Sequence, residues 1–456
     1  MRQPDILIFV EHVARELEIA CLIRHLAARA GVDVTVASIH YDLHTAIARY
    51  RPALIATPCF ASAADANLGH LVSAFPGATY VNLAFEQLLS RGNRAAKRPA
   101  DRIAREHVLH LASGPAYREF LSAHGVPRRN IAVVGSLPLG LYRPPYRHLV
   151  DGQRQRLAHR YGLDASRPWV FLPENYSAAF LTDREIRQRI ARGFDRDDVY
   201  TYRDHAGRSL QAVARWCWHV ADGAAVELII RPRPATDTTE LVRACCQAAG
   251  REPPGNLHFI KEETVREWNL ASDLVATSYS TAGLEAAVCG KPVYQLLPEA
   301  LPPFMAVDWL AYAPSVTSAA DFLHLARSAA DLEPNRALDD WARSHLMGTD
   351  DSLALTSRLL TDIVTGRRSA PPPPGGRPRT FVRMATALRH RVRALRSRRA
   401  SRSTRYEMDR FSQHDVDRRT ARWADLFGRP ALEAAETSRP KNVPDPFVCP
   451  LAEEAP

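Results

Sequence analysis

The chain has 456 residues, of which 46% are hydrophobic and 24% are charged. This length exceeds what one hydrophobic core usually organises, so the sequence predicts two or more globular domains and excludes a chain that is disordered throughout. The first apolar run ends before Glu11 and no run reaches 18 apolar residues, so neither a signal peptide nor a membrane span is predicted. Seven scattered cysteines without a CxxC pair predict neither disulfides nor a zinc site and are typical of the cytoplasm.

The net charge of +10 is concentrated in one segment. Between residues 363 and 406 there are thirteen arginines and no acidic residue, and removing these from the 60 basic residues leaves 47 against 50 acidic ones. Apolar residues recur through 381–395, so a helix on an anionic membrane surface is the first interpretation of segment 377–405. A disordered tail is the second interpretation. Nucleic-acid binding is disfavoured, because aromatic residues do not interleave with the arginines.

Strand-like and helix-like segments alternate along the chain, which is typical of parallel sheets covered by helices on both faces. In the first set, strands are predicted at 6–10, 32–38, 54–57, 79–83 and 131–134, with helices at 15–30, 43–49 and 101–110. In the second set, strands are predicted at 169–172, 226–230, 257–260, 274–276 and 293–297, with helices at 209–221, 238–249, 282–289 and through 319–365.

The sequence therefore predicts an α/β protein with two doubly wound Rossmann-like domains that face each other across a cleft. The first predicted domain covers 1–145 and the second covers 146–366. Four prolines and two glycines at 371–376 predict a linker over 367–378, and 379–456 is predicted to be an Arg-rich extension, either helical or disordered.

The segment 271–297 predicts a strand, a loop, a helix and a second strand. Ser278, Ser280 and Thr281 stand in the loop, where hydroxyl and backbone N–H groups at a helix start bind phosphate. Glu285 lies one turn into the helix, within reach of a sugar hydroxyl. The pattern favours a nucleotide-linked sugar as the ligand, and an ordinary helix N-cap explains the segment equally well.

Polar residues also follow two other predicted strands of the second domain. Arg231 and Arg233, each followed by proline, offer permanent charges and paired donors that suit a phosphate or a carboxylate. A surface salt-bridge pair is the alternative. Glu174 and Asn175 follow a neighbouring strand and join the predicted nucleotide site, because the carboxyl ends of parallel strands meet at one edge of the sheet.

Three acids of the first domain are candidates for the base that deprotonates an acceptor hydroxyl. Glu11 directly follows the first predicted strand and is the preferred candidate; Glu16 and Glu86 are the others. Glu16 could instead form a helix-surface ion pair with a nearby arginine. Gly135 ends another strand and is predicted to allow a tight turn into the cleft.

Several stretches are similar to bacterial surface-carbohydrate biosynthesis proteins of the GT-B type. More distantly, they resemble non-hydrolysing UDP-N-acetylglucosamine 2-epimerases and the capsule and teichoic-acid transferases that use CDP-linked donors. These stretches are FVEHVARELEIACLIRHL, YVNLAFEQ, the run from KRPADRIAREHVLHL to SLPLGLYRPPY, IIRPRP, and REWNLASDLVATSYSTAGLEAAVCGKPVY. Together they lie within residues 1–350, so the C-terminal extension is outside the resemblance.

The resemblance implies a GT-B fold whose second domain holds the nucleotide. It implies that Arg231 and Arg233 form a basic strand-end motif, that Ser280 and Thr281 form the phosphate-binding turn, and that Glu285 contacts the ribose.

Two positions depart from the family pattern. The cleft glycine, Gly135, is commonly followed by Asn but here by Ser136, and Gly140 stands where an acid is expected. The epimerases' pattern of catalytic acids is not evident either, so the resemblance favours transfer over epimerisation.

The sequence thus predicts a cytoplasmic GT-B glycosyltransferase, peripheral on the inner membrane face. Its reaction would move a sugar or polyol phosphate from a nucleotide-activated donor to a glycan or lipid-linked acceptor of capsule, lipopolysaccharide or a related surface glycan. No cofactor and no metal ion are predicted, because arginines and a helix start can compensate the donor's charge. A nucleotide-sugar 2-epimerase and a non-catalytic assembly factor with the GT-B fold are the alternatives.

Overall fold

The computed structural model describes residues 3–87, 90, 94, 96–191, 193–234, 236–348, 350–376, 385, 388 and 408–428. Two six-stranded parallel sheets organise it, with strand orders β2-β1-β3-β4-β5-β6 and β12-β11-β10-β7-β8-β9. The first sheet contains β1 (Ile6–Val10), β2 (Val34–Ser38), β3 (Leu54–Thr57), β4 (Thr79–Asn82), β5 (Val108–Ala112) and β6 (Ile131–Val133). The second contains β7 (Trp169–Pro173), β8 (Glu227–Arg231), β9 (Leu257–Phe259), β10 (Leu274–Thr277), β11 (Val293–Leu296) and β12 (Ser315–Val316). The predicted fold class, two doubly wound α/β domains, is confirmed.

Helices cover both sheets. Those described in the first half are α1 (Glu18–Ala28), α2 (Leu43–Arg49), α3 (Ala66–Ala74), α4 (Arg102–Glu106), α5 (Pro115–Ala123), α6 (Leu137–Gly140) and α7 (Gln153–Tyr161). Those described in the second half are α8 (Asp183–Ala191), α9 (Arg196–Gly223), α10 (Thr238–Ala249), α11 (Val265–Ala271), α12 (Ala282–Val288), α13 (Ala319–Arg327), α14 (Arg336–Ala342), α15 (Ser352–Val364) and α16 (Gln413–Phe427). Even α9, with 28 residues, lacks an apolar stretch that could span a bilayer, and the same holds for every other helix described.

The strands at the centre of each sheet are buried along their whole length. All five residues of β1, ILIFV, and all five of β7, WVFLP, are inaccessible to solvent. Strands buried on both faces carry continuous apolar runs instead of alternating ones, and this is why such runs identified them in the sequence.

One predicted helix is wrong. Residues 101–110 were expected to be helical throughout, but the helix ends at Glu106 and β5 begins at Val108. A single residue, His107, separates the two elements, so no glycine or proline marks the boundary. Tertiary context decides the outcome: His110 is fully buried in β5, where its Nε2 lies 2.7 Å from the carbonyl oxygen of Ala104. Burial lowers the pKa of His110 to about 4, so the ring is neutral at pH 7.

Each sheet changes direction at one point. In the first sheet the chain moves from β1 to β2 on one side and returns to β3 on the other; in the second it moves from β7 to β9 and returns to β10. Such switch points leave a crevice outside the carboxyl ends of the strands, which is where open α/β sheets bind ligands. The segments after β1, β7 and β10 are therefore placed to form a site.

The chain returns to the first domain after the second sheet is complete. α15, which the sequence prediction assigned to the second domain, places Leu353, Leu359 and Leu360 in the core built around β1. The linker continues along the first domain, where Gly375 N–H donates to the carbonyl oxygen of Pro76. α16 then packs against α1. Apart from residues 385 and 388, the Arg-rich segment 377–405 lies outside the described residues.

Candidate functional site

A cavity of about 400 Å³ lies between the two domains, at the switch points of both sheets. Nine of the predicted site residues line it: Glu11, Glu86, Glu174, Asn175, Arg231, Arg233, Ser280, Thr281 and Glu285. Glu16, Ser278 and Gly135 do not line it. The structure therefore brings together most of the residues that the sequence placed at strand ends.

Arg231 ends β8 and is fixed by the backbone. Its Nη2 and Nε donate to the carbonyl oxygen of Glu263 at 2.9 and 3.2 Å, and only 3% of the residue is exposed. Glu263 has a positive φ of 65°, an uncommon conformation for a residue with a side chain, and this turns its carbonyl towards the guanidinium. Burial lowers the pKa of Arg231 to about 10, which still leaves the group charged at pH 7.

Arg233 is held by the two residues that follow β7. Its Nη1 donates to Asn175 Oδ1 at 2.7 Å, and its backbone N–H donates to Glu174 Oε2 at 3.1 Å. The same carboxylate accepts from the Thr236 hydroxyl and from the backbone N–H of Tyr176, and it is 2% exposed. Glu174 thus joins the loops after β7 and β8, while Asn175 orients the guanidinium of Arg233 at the cavity.

Arg266 is a third guanidinium on the second-domain side of the cavity and was not predicted. It is 6% exposed, it lines the cavity, and its Nη1 has no hydrogen-bond partner in the part of the chain that the structure describes. A buried donor without a partner costs about 1–3 kcal/mol, more when charged, unless a ligand or water satisfies it. A guanidinium in this position has the donors that suit an anionic ligand.

Ser280 and Thr281 precede the short helix α12. The Ser280 hydroxyl accepts a hydrogen bond from Ala282 N–H at 3.3 Å, and among the described residues the Thr281 side chain makes no capping hydrogen bond to the helix. Glu285, one turn later, accepts a 2.8 Å hydrogen bond from the Tyr142 hydroxyl, and burial raises the pKa of its carboxyl group. Tyr142 lies in the segment that joins the two domains and packs in the core of the second one, so this bond fixes Glu285 within that domain.

The first-domain wall begins with an unusual turn. After β1, residues Val13–Leu17 form one wide π-helical turn before α1 starts. The turn lets the fully buried Glu16 carboxylate reach back to the N–H groups of Glu11 and His12, at 2.7 and 3.2 Å, and pair with Arg15 at 2.8 Å. Glu16 therefore holds the end of β1 in place. Glu11 is 38% exposed at the cavity, with a carboxylate oxygen 3.9 Å from His40 Nε2.

Glu86 lies between two cations. Its Oε2 is 3.4 Å from Arg15 Nη1 and 3.8 Å from Lys97 Nζ. Burial alone would raise its pKa, but the charges of Arg15 and Lys97 outweigh this effect and hold the pKa of Glu86 at about 2. A carboxylate of such low pKa accepts a proton poorly at pH 7, so this geometry favours a role in charge balance.

His12 is paired with a residue from the far end of the chain. Its Nδ1 lies 3.0 Å from Asp409 Oδ2, and Asp409 Oδ1 accepts the backbone N–H of Val13 at 3.0 Å. Asp409 is 2% exposed, whereas the His12 side chain is 20% exposed and lines the cavity. Burial lowers the pKa of His12 and the bond to Asp409 raises it, and the resulting pKa is above the ordinary value.

A second cavity of about 270 Å³ adjoins the first. The two share Arg15, Glu86, Pro138, Thr281 and Glu285 in their walls. The rest of its lining includes four aromatic side chains, Phe85, Tyr117, Trp309 and Trp341.

The remaining predicted residues lie behind the surface of the main cavity. Ser278 is buried beneath the loop that carries Ser280. Gly135 has a φ of 87° and sits so close to the crossing segment that a Cβ atom there would meet the carbonyl oxygen of Met347 at 2.6 Å. The absence of a side chain at Gly135 therefore allows the segment that contains Met347 to pack against the first domain.

Two residues at the site, Arg266 and Asp409, could not be found from local sequence patterns. Arg266 lies one residue into α11, where an arginine looks like ordinary helix surface; the only signal was its place within a stretch that carried the family resemblance. Asp409 lies 397 residues from His12, in a region that the sequence assigned to an extension. The described residues contain no group of three or more His, Cys, Asp or Glu side chains that could hold a metal ion.

No protein-family model matches the sequence, and no curated protein matches it significantly. Solved structures do match. A UDP-N-acetylglucosamine 2-epimerase structure from Listeria monocytogenes aligns with a TM-score of 0.51 and 12% identity, over 81% of this chain and 99% of that one. MnaA from S. aureus, solved with UDP, aligns with a TM-score of 0.52 and 11% identity, over 82% and 100%. HepE from Anabaena, solved with UDP and glucose, aligns with a TM-score of 0.41 and 13% identity, over 80% and 100%.

Identities this low show the fold alone. Within that limit, the similarity inferred from the sequence is confirmed: the chain has the GT-B fold, with two parallel α/β domains facing one cleft.

Proposed function

We propose that the protein is a glycosyltransferase that moves a sugar, or a polyol phosphate, from a nucleotide-activated donor to a surface-glycan acceptor. The observation that carries the proposal is the buried guanidinium of Arg266, whose Nη1 lacks a partner among the described residues while it lines the cleft beside Arg231 and Arg233. Three arginines on the second-domain side of one cavity offer the charge that a nucleotide's phosphates need.

The donor's phosphates are proposed to lie between these arginines and the Ser280–Thr281 turn, with Glu285 at a ribose hydroxyl. Fixed cations can stabilise the leaving phosphate without a metal ion, so we propose that none is required. UDP in the MnaA structure belongs to that protein, and it suggests UDP as the first nucleotide to try here.

The acceptor is proposed to occupy the smaller cavity. Aromatic rings such as those of Trp309 and Trp341 suit the apolar faces of sugar rings, and Asp308 and Glu86 offer oxygens to sugar hydroxyls. This cavity shares a wall with the main one, so an acceptor there would reach the donor's reactive carbon.

The reaction requires a base on the first-domain wall. Of the three acids predicted for that role, Glu16 is committed to backbone N–H groups and Glu86 is held by two cations. Glu11 and Glu86 are about equally exposed, and Glu11 is favoured of the two because it does not lie between an arginine and a lysine.

The proposal is tested by isothermal titration calorimetry of the full chain with UDP-, GDP-, CDP- and CMP-linked sugars. We expect one nucleotide class to bind, and Arg266→Ala to weaken that binding about 10- to 100-fold, since a hydrogen bond to a charged group contributes about 1.5–3 kcal/mol. The matched control is Arg243→Ala, an exposed arginine on α10, which should bind as the wild type does. No binding to any compound, or equal binding by Arg266→Ala, would contradict the proposal.

The two alternatives have their own tests. An epimerase needs no acceptor, so conversion of UDP-N-acetylglucosamine by the enzyme alone would replace transfer with epimerisation. A non-catalytic assembly factor would support normal glycan production in cells when Glu11, Glu16 and Glu86 are all changed to Ala. We expect neither result.

We further propose that the Arg-rich segment 377–405 binds an anionic membrane surface. Each exposed cation contributes about 1 kcal/mol to binding at anionic lipid. Truncation before the segment would also remove α16, which is part of the first-domain core, so the informative variant changes Arg389, Arg391, Arg393 and Arg396 to Gln in the full chain. The wild type should co-sediment with phosphatidylglycerol vesicles and this variant should not; equal co-sedimentation would exclude the membrane role.

A further inference from the structure

The smaller cavity is lined by a histidine, His345, that does not line the larger one. We propose that His345 recognises the acceptor: its ring accepts a hydrogen bond from an equatorial hydroxyl of a sugar that stacks on Trp341. This inference rests on the proposed function, because it names the residue that selects the acceptor in the cavity assigned to it. The role is one of binding, and the base of the reaction stays on the first-domain wall.

The backbone holds His345 against the first domain. The residue lies in the π-helical turn Arg343–Met347, which follows α14. A Cβ atom at Gly114, directly before α5, would collide with the carbonyl oxygen of His345, and Ser136 N–H donates to the carbonyl oxygen of Leu346 at 2.6 Å. Gly114 follows β5 and Ser136 follows β6, so the turn is fixed against two strand ends of the other domain.

The hydrogen bonds of the imidazole select one tautomer. Its Nδ1 lies 2.9 Å from the carbonyl oxygen of Trp341 and 2.9 Å from the hydroxyl oxygen of Ser344, and that hydroxyl donates to the carbonyl oxygen of Asp340 at 2.8 Å. A carbonyl oxygen can only accept, so in the neutral ring the proton is on Nδ1 and the lone pair is on Nε2. Within the described part of the chain, Nε2 has no hydrogen-bond partner, and the residue is exposed.

The imidazole and the indole of Trp341 form one flat surface. Their ring centroids are 4.6 Å apart and their planes differ by 11°, and both side chains line the smaller cavity. The lone pair on Nε2 lies in the plane of the imidazole, so it points almost parallel to the face of the indole. The cavity therefore has an apolar aromatic face with a hydrogen-bond acceptor beside it.

A pyranose ring has the chemistry that suits this pair. Its axial C–H groups form an apolar face that can pack on an aromatic ring, and its equatorial hydroxyls project near the mean plane of the sugar. A sugar stacked on Trp341 in the same layer as the imidazole would direct an equatorial O–H at His345 Nε2. Asp308, an exposed residue of the same cavity, offers carboxylate oxygens to further hydroxyls. The pair should therefore favour acceptors whose ring hydroxyls are equatorial.

NMR of the full chain with isotope-labelled histidine tests the assignment, with and without UDP. The signals of His345 are identified by their loss in His345→Phe, and in the free protein we expect the Nδ1–H tautomer. Methyl glycosides of glucose, N-acetylglucosamine, galactose and mannose are then added. The glycosides of glucose and N-acetylglucosamine, whose ring hydroxyls are all equatorial, should shift the Nε2 signal most.

His124 is the matched control in the same spectra. Its Nδ1 lies 2.7 Å from the carbonyl oxygen of Phe120, four residues earlier, and its ring centroid is 4.6 Å from that of Phe120. The local geometry resembles that of His345 and Trp341, but His124 lines neither cavity. It should show the same tautomer and no response to any glycoside.

Two variants separate the hydrogen bond from the stacking. His345→Phe keeps a ring beside Trp341 but has no lone pair, so it should weaken glycoside binding about 2- to 10-fold, as expected for the loss of one neutral hydrogen bond. His345→Gln keeps an amide oxygen that can accept, and it should bind the glycoside nearly as the wild type does. Neither variant should change the affinity for UDP.

Equal losses in the two variants, the Nε2–H tautomer in the free protein, or glycoside binding without a shift at His345 would overturn the inference. Binding of UDP without a response to any glycoside would also overturn it, and would leave the donor site in place. If no nucleotide compound binds, the proposed function fails instead. In that case a glycoside shift at His345 would still show a sugar site, and its absence would overturn this inference as well.

Discussion

The two walls of the cleft are built from the same kind of element, the carboxyl ends of parallel strands, but they hold their charges differently. On the second-domain wall, the hydrogen bonds that fix the guanidinium groups of Arg231 and Arg233 go to a backbone carbonyl and a side-chain amide oxygen. On the first-domain wall the acids are paired, Glu16 with Arg15 and Glu86 with Arg15 and Lys97. The two walls therefore differ in how their charged side chains are held, by neutral oxygens on the second-domain wall and by ion pairs on the first-domain wall.

The walls also differ in what supports them. Strands β7 to β12 and their helices form the second wall from one continuous stretch of chain. The first wall needs a helix that follows the second domain in sequence. A substitution that weakens one wall should therefore leave the other wall unchanged.

The largest effect is expected from Trp423→Ala. The indole is fully buried in the first-domain core and donates to a backbone carbonyl, so its removal should lower the free energy of unfolding by about 3–5 kcal/mol. Chemical denaturation followed by fluorescence measures the change. Trp341→Ala, which removes a half-buried indole from α14, is the comparison, and a loss as large there would mean that the first wall has no special dependence on α16.

An intermediate effect is expected from Glu174→Gln on the second wall. The carboxylate accepts the Arg233 N–H and the Thr236 hydroxyl through one oxygen and the Tyr176 N–H through the other, and an amide group can accept through only one oxygen. We expect a loss of about 1–3 kcal/mol in stability and weaker nucleotide binding. Chemical denaturation measures the stability and calorimetry the nucleotide affinity, and unchanged values of both would contradict the role given to this carboxylate.

A smaller effect is expected from Tyr142→Phe. It removes the 2.8 Å bond to Glu285 and little volume, which should cost about 0.5–1.5 kcal/mol. Nucleotide affinity should fall less than tenfold, because Glu285 stays in place but loses the hydroxyl that orients it. Calorimetry measures both quantities, and unchanged affinity would show that Glu285 needs no orientation by the Tyr142 hydroxyl.

The smallest effect is expected from Glu86→Gln, because the side chain is 37% exposed and solvent screens its ion pairs, and the effect depends on pH. The pKa of Glu86 is about 2 in the folded protein against an ordinary 4.5, so its charge stabilises the fold above pH 4.5 and this contribution is lost as the pH falls towards 2. Wild type and variant should differ in denaturation midpoint at neutral pH and converge on acidification. A constant difference across that range would contradict the ion-pair account.

The second wall could be predicted well from the sequence, and the first wall only in part. Arg231, Arg233 and Ser280 stand directly after apolar runs, and a strand end is a local feature that a linear reading detects. Glu16 was found as an acid near a strand end, but its engagement by two N–H groups depends on the π-helical turn, which no residue pattern indicates. The hydrogen bond between Asp409 and His12 depends on how α16 packs, and no periodic sequence pattern indicates such a tertiary contact.

The packing of α16 also sets the order in which the domains can fold during synthesis. Domains usually fold in the order in which they leave the ribosome, the N-terminal one first. Here Ile6 and Phe427 belong to one core, so the core of the N-terminal domain cannot be completed until residue 427 has been synthesised. All strands of the second domain are complete by residue 316. On the ribosome the strands of the second-domain wall are therefore complete while the β1 core still exposes the apolar surface that α16 will cover.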